Sequence, residues 1–235
     1  MAKIQAQDDD HLIINELLTN EEVINHFRVA IFGSARTKPA DPHYQQVFGL
    51  AEMLGRRGFD VVTGGGPGIM EAANAGHQAG SPDNDHAHSI GLTIQLPFEA
   101  KGNLHLDIKE HFNRFSNRLD EFLKLSNVAV ITHGGIGTLL ELFYVWQHTQ
   151  VKHINRIPII VIGDLWDGLM DWMKNGPLNE GTISKSDFSN LYFVHTNAEA
   201  MDLIMKANQV FEEKGPGYCM DYDKYRVLSQ NGKDD

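Results

Sequence analysis

Six short runs of almost continuously apolar residues alternate along the chain with segments whose apolar residues recur at helical spacing. That alternation restricts the fold more than any other feature. The runs are RVAIFGS (28–34), FDVVTGGG (59–66), SIGLTIQLP (89–97), NVAVITHGG (127–135), RIPIIVIGD (156–164) and LYFVHT (191–196). A strand with one solvated face alternates apolar with polar residues. A strand apolar at nearly every position is buried on both faces, as parallel strands are when crossover helices cover them. YQQVFGLAEMLGRRG, PGIMEAANAGHQAG (with Pro67 near its start), FNRFSNRLDEFLKLS, IGTLLELFYVWQHTQ, LWDGLMDWMKNG and AEAMDLIMKANQVFEEKG supply those helices. The expected fold class is α/β: a single doubly wound, mainly parallel sheet with helices on both faces, whose ligands bind at the carboxyl ends of the strands near the switch in strand order. Residues 1–20, polar with an acidic DDD, read as an arm and 215–235 as a tail, which leaves 21–214 as one domain. The stretch AGSPDNDHAH (79–88) is the most loop-like interior segment.

Twenty Lys plus Arg against 31 Asp plus Glu give a net charge of -11. Such a balance repels a polyanion, so a nucleic-acid polymer is not an expected partner, and any phosphate must be held by a few aimed groups. Cys219 is the only cysteine, which excludes an intramolecular disulfide and fits a reducing compartment. MAKIQAQDDDH carries acid where a secretory signal carries a basic end, and no run approaches a membrane span. A cytoplasmic chain without membrane contact is expected.

Glycine gathers at strand ends in three places: Gly33-Ser34, Gly64-Gly65-Gly66-Pro67-Gly68 with Met70 following, and His133-Gly134-Gly135-Ile136-Gly137-Thr138. Each turn feeds a helix or a loop leading to one. Backbone N–H groups and the positive end of a helix dipole can then converge on an anion, each such end contributing about 0.3 to 1 kcal/mol. Three turns facing one crevice would suffice for a nucleotide, whereas close strand-to-helix packing explains one such turn more easily than three. Two familiar phosphate loops are excluded. Gly68-Ile69-Met70 and Gly137-Thr138-Leu139 lack the Gly-Lys-Ser/Thr of a Walker A loop. The first strand ends FGSAR and lacks a dinucleotide fingerprint.

With TGGGPGIMEAANAG and HGGIGTLLE in view, the sequence resembles the Rossmann-like "Lonely Guy" (LOG) family of nucleotide-binding proteins. Its hallmark is P-G-G-x-G-T-x-x-E preceded by a glycine triplet, and the resemblance runs from about Val29 to Phe211. It implies hydrolysis of a nucleoside 5′-monophosphate to free base and ribose 5-phosphate, with an arginine and the motif glutamate as the catalytic pair. By the motif these fall on Arg118 and Glu141. The chain departs from the pattern with His133 in place of proline and with Leu119 where many members follow the arginine with lysine. A histidine there could donate to phosphate. Members have often been labelled lysine decarboxylases, but none of the glycine turns contains a lysine to carry a pyridoxal Schiff base. Subunit assembly is implied too, and LFYVWQ and LWDGLMDWM supply aromatic surface for it.

The chemistry suits these residue types. Breaking an N-glycosidic bond makes an oxocarbenium-like sugar, which a carboxylate can stabilise while orienting water. Glu141 lies about one turn into its helix, a lone acid among Leu139, Leu140, Leu142 and Phe143, and Val145 offers it no partner at i+4. Arg118 could clamp phosphate or ribose hydroxyls bidentately, with Arg114 extending the same face; a surface ion pair with Asp120 or Glu121 is the plainer role. His86 and His88 form an H-x-H in a polar loop and read as solvated, and Phe143, Tyr144 and Trp146 as core or subunit contact. No metal and no cofactor is expected. The rival to a hydrolase is a carrier that cradles a phosphorylated ligand without cleaving it, and nothing in the sequence identifies the base.

Overall fold

A computed structural model describes residues 26–81, 87–94, 102–154, 157–215 and 220–228. Among them are seven strands, β1 (Arg28–Phe32), β2 (Asp60–Thr63), β3 (Ser89–Ile94), β4 (Ile108–Phe112), β5 (Val128–Ile131), β6 (Ile159–Ile162) and β7 (Leu191–Val194). Six α-helices accompany them: α1 (Pro42–Gly55), α2 (Ile69–Gly80), α3 (Phe115–Leu125), α4 (Ile136–Gln150), α5 (Asp167–Met173) and α6 (Asn197–Lys214). The strands form one seven-stranded sheet in the order β4-β3-β2-β1-β5-β6-β7. The pairings β1–β2, β2–β3, β3–β4, β5–β6 and β6–β7 are parallel. Strand order runs from β1 out to β4 in one direction and from β5 out to β7 in the other. The chain divides into two compact units, one of residues up to Ile31 with Ala35–Ser126, the other of Phe32–Ser34 with the chain from Asn127 onward.

In the first unit, Val29, Ile31, Val61, Val62 and Leu92 are fully buried, as uninterrupted apolar strands predict. Helix α1 starts two residues earlier than its apolar pattern because Asp41 caps it, accepting from the His43 N–H at 2.8 Å, and Pro42 occupies the first turn. Helices α1 and α2 pack backbone to backbone. A Cβ on Gly76 would strike the Phe48 carbonyl, and one on Gly55 the carbonyl of His77.

The seventh strand, β4, is absent from the sequence reading. Its residues, IKEHF, place Lys109, Glu110 and His111 in a row, so no apolar run announces it; it sits at the end of the sheet order, paired only with β3. Glu110 nevertheless points inward and is 2% exposed. Burial first, and then the charge of Glu121, push its carboxyl from an ordinary 4.5 up to about 7 despite the counter-effect of Lys124. A carboxyl whose folded pKa lies above its unfolded one favours the folded state below about pH 4.5 and loses that contribution as the pH rises through 7. Glu110→Gln is therefore expected to match the wild type near pH 4.5 and exceed it at pH 8 in thermal midpoint. Equal midpoints at both pH values would mean that Glu110 ionises in the folded chain without cost.

In the second unit, Ile159, Ile160, Val161 and Tyr192 are fully buried. Helix α6 begins with a capping box in which Thr196 and Glu199 satisfy each other's backbone N–H groups. The expected single helix over LWDGLMDWMKNG is instead a 3-10 turn (Asp164–Trp166), then α5, then a π-helical turn (Lys174–Leu178) containing Pro177, which has no N–H to continue an α-helical ladder. Trp146 is core, its indole N–H donating to the Asp187 carbonyl at 2.6 Å, and Trp166 is buried as well. Residues 220–228 run beside β7: Phe193 N–H donates to Tyr225 O, Val227 N–H donates to Leu191 O, and Tyr192 and Arg226 form an antiparallel bridge. The arm at 1–20 and Cys219 lie outside the described residues.

Candidate functional site

The first unit carries the glycine turn that follows β2. Gly65 at φ +68° and Gly68 at φ +71° take conformations that L side chains rarely adopt, so glycine is required at both. The turn is fixed from beneath by a buried polar network that the sequence reading missed. Thr63 Oγ1 accepts from Gly65 N–H at 3.0 Å and donates to Asn74 Oδ1 at 2.8 Å. Asn74 Nδ2 donates to Ser89 Oγ, and Asn103 Nδ2 donates to Asn74 Oδ1 and to the Gly66 carbonyl. Asn74, fully buried within EAANAG, is the clue the sequence offered: an amide on the inward face of an apolar helix needs a partner. Gly68 then stands at the N-cap of α2, and as a glycine it contributes no side-chain cap to the helix's first N–H groups.

Arg118, on α3, is brought against this turn. It is buried, which excludes the exposed surface ion pair that its neighbours Asp120 and Glu121 suggested, and Lys124 pairs with Glu121 at 3.0 Å. Its Nε donates to the Leu92 carbonyl at the end of β3 at 2.7 Å, and its guanidinium carbon lies 5.4 Å from the centre of the Phe122 ring. A Cβ at Gly64 would collide with the guanidinium and come 2.7 Å from the Met70 sulfur. Gly64 is thus the space the arginine occupies. Arg114, at the N-cap of α3, is exposed.

The second unit carries the other two turns and brings them together. Ser34 N–H donates to the His133 carbonyl at 3.0 Å, while Thr132 donates to the Phe32 carbonyl through both its N–H (2.9 Å) and its hydroxyl (3.0 Å). These bonds join the Gly33-Ser34 turn to the start of the HGGIGT loop. A Cβ on Gly134 would collide with Thr138, which is buried beneath the loop. Gly135 caps α4, again with no side-chain cap, and Glu141 is half-buried within α4.

Gly135 and Gly137 stand apart from the other glycines of these turns. Both are exposed, neither has a positive φ, and a Cβ at either would meet nothing within 4 Å. The chain itself does not require glycine at these two positions.

A family model described as "Possible lysine decarboxylase" matches residues 62–204, from β2 into α6. The chain belongs to that family. It is the LOG-type group that the glycine motifs resemble, and membership supports a nucleotide-related role. No curated protein matches the chain significantly. Among solved structures, TM1055, a structural-genomics target, is 20% identical with a TM-score of 0.58, covering 76% of this chain and 98% of that one. A molybdenum cofactor carrier protein from Chlamydomonas reinhardtii is 17% identical with a TM-score of 0.58 over 78% of this chain and 99% of that one. A molybdenum cofactor binding protein from Rippkaea orientalis is 17% identical with a TM-score of 0.57 over 77% and 96%. At such identities the likeness establishes the Rossmann-like fold. No described helix is long and apolar enough to cross a membrane.

Proposed function

We propose that the protein hydrolyses the N-glycosidic bond of an AMP-like nucleoside 5′-monophosphate, releasing free base and ribose 5-phosphate in the cytoplasm. The observation that carries this reading is the open glycine at Gly137, in the first turn of α4 beside the N-cap Gly135. Inside a helix, where Gly137 lies, alanine is preferred to glycine by about 1 kcal/mol, whereas at the N-cap, which Gly135 holds, glycine is itself preferred to alanine. A first turn that keeps glycine where nothing inside the chain crowds it is explained by something outside the chain approaching the backbone. The N–H groups of that first turn, given no cap by the glycine side chain, suit a phosphate. Glu141, one turn further along α4, supplies the carboxylate that stabilises the developing sugar cation and orients the attacking water. Arg118, with the turn after β2, supplies a guanidinium suited to bidentate contact with phosphate or ribose hydroxyls.

Gly137→Ala is expected to fold with unchanged or slightly raised stability, yet to lose at least about tenfold in kcat/KM on AMP, because the methyl group fills the approach to the N–H groups. Wild-type kinetics in that variant would remove the cradle from the reading. Adenosine, which lacks the phosphate, should be cleaved hardly at all.

A carrier of a phosphorylated ligand is the second reading. It is favoured by His133 in place of the family proline and by the fold shared with proteins named as molybdenum cofactor carriers. Tight nucleotide binding with no base released under any condition would select it.

The assembly we propose is a homo-oligomer. Ile136, Leu140 and Phe143 are exposed on α4 at helical spacing, an apolar stripe that a second copy would cover. Sedimentation at micromolar concentration should show a species larger than 26.3 kDa; a stable monomer would refute the assembly.

A further inference from the structure

Where β1, β2 and β3 begin, at the amino ends of the strands, the first unit gathers a second group of chemistry-bearing side chains. His26 precedes β1, Asp60 opens β2 and His88 immediately precedes β3. One ligating atom from each lies within 4.8 Å of the others. His26 Nδ1 is 3.3 Å from both Asp60 oxygens, and His88 Nδ1 is 3.4 Å from Asp60 Oδ1. We propose that His26, Asp60 and His88 form a binding site for one divalent transition-metal ion of the zinc class.

Geometry carries the inference. A charge-assisted N–H···O bond closes to about 2.7–2.9 Å. These contacts stand well outside that range, and His88 Nδ1, a buried atom, makes no hydrogen bond of acceptable geometry. Zinc–nitrogen and zinc–oxygen bonds of about 2.0–2.2 Å at tetrahedral angles put neighbouring ligand atoms about 3.3–3.5 Å apart, which is the spacing observed between each histidine and Asp60. Two imidazoles and one carboxylate suit zinc and its neighbours, and leave one position for water.

The surroundings support ligation. Asp60 is fully buried. The His88 N–H fixes Oδ1 at 2.8 Å, and Arg28 Nε fixes Oδ2 at 3.2 Å. Outer partners of this kind orient a ligating carboxylate. The His26 and His88 rings lie nearly parallel, 5.6 Å apart. An ion here would staple the starts of three adjacent strands, a structural role separate from the glycine turns.

The test uses the tag-free full-length chain, stripped of metal and titrated with Zn²⁺ against a chromogenic chelator, and with Co²⁺ while its visible ligand-field bands are followed. One equivalent should bind, with Co²⁺ bands of low coordination number and a raised thermal midpoint. His26→Gln and His88→Gln should each weaken binding at least about tenfold while the apo proteins keep wild-type circular dichroism. Asp60→Asn should abolish binding; because it also breaks the Arg28 contact, the two histidine variants decide the matter should it fail to fold. No Co²⁺ bands in the folded wild type, or binding unchanged in both histidine variants, would overturn the site and leave the cluster as a buried hydrogen-bonding network.

Discussion

Replacing Glu141 by glutamine is expected to lower AMP turnover by at least about 10²-fold, the loss typical of removing a general base or charge stabiliser. Nucleotide affinity should stay within a few-fold of wild type. Glutamine keeps the size and hydrogen-bonding capacity of the side chain but removes its charge, so the loss falls on the transition state, where positive charge develops on the sugar, and not on the ground state. Affinity would rise slightly if carboxylate and phosphate repel each other in the bound state. Calorimetry for binding and chromatography for released base give three separable outcomes. Retained binding with lost turnover supports the hydrolase. Tight binding with no turnover in either protein supports the carrier. Unchanged turnover would remove Glu141 from the mechanism.

Arg118→Ala is expected to lower kcat/KM by about 10- to 10²-fold, matching the roughly 1.5 to 3 kcal/mol of hydrogen bonds to a charged group. Unlike the Glu141 loss, this one should divide between KM and kcat, because a clamp engages the ground state and the transition state alike. Arg118 also donates to the Leu92 carbonyl and packs on Phe122, so truncation costs stability as well. Arg118→Lys separates the two effects. It preserves positive charge and most of the side-chain length while losing the planar fork, so a lysine variant that is folded but still impaired assigns the loss to bidentate recognition. Wild-type kinetics in a folded Arg118→Ala protein would leave the arginine as a purely structural residue of the turn after β2.

How legible each element was follows from how local its cause is. RVAIF, DVVT, VAVI and IIVI announce themselves because a strand buried on both faces is apolar through its interior, with polar Arg28, Asp60 and Thr63 only at strand ends. IKEHF did not, because β4 is paired only with β3 and keeps Lys109 and His111 toward its more accessible side; only its pairing with β3 makes it a strand. The helix over 165–176 was legible in its apolar pattern, but its break into 3-10, α and π turns, the last around Pro177, was not.

The same division holds for function. The sequence by itself determined the α/β class, the three glycine turns and the family, because each rests on residue types at fixed local spacing. Tertiary structure decided what those residues do for one another. It buried Arg118, for which a surface ion pair was the plainer alternative to a clamp, against Gly64, and it revealed Asn74 and Asn103 as the supports of the turn after β2. It separated glycines that the chain needs, such as Gly65 and Gly134, from Gly135 and Gly137, which it does not. It also set His88 beside His26 and Asp60, partners 62 and 28 positions away in the sequence. A motif is local, and one stretch of chain can display it. A contact between side chains on different strands exists only once the parallel sheet has set their register, and no spacing within one segment encodes that.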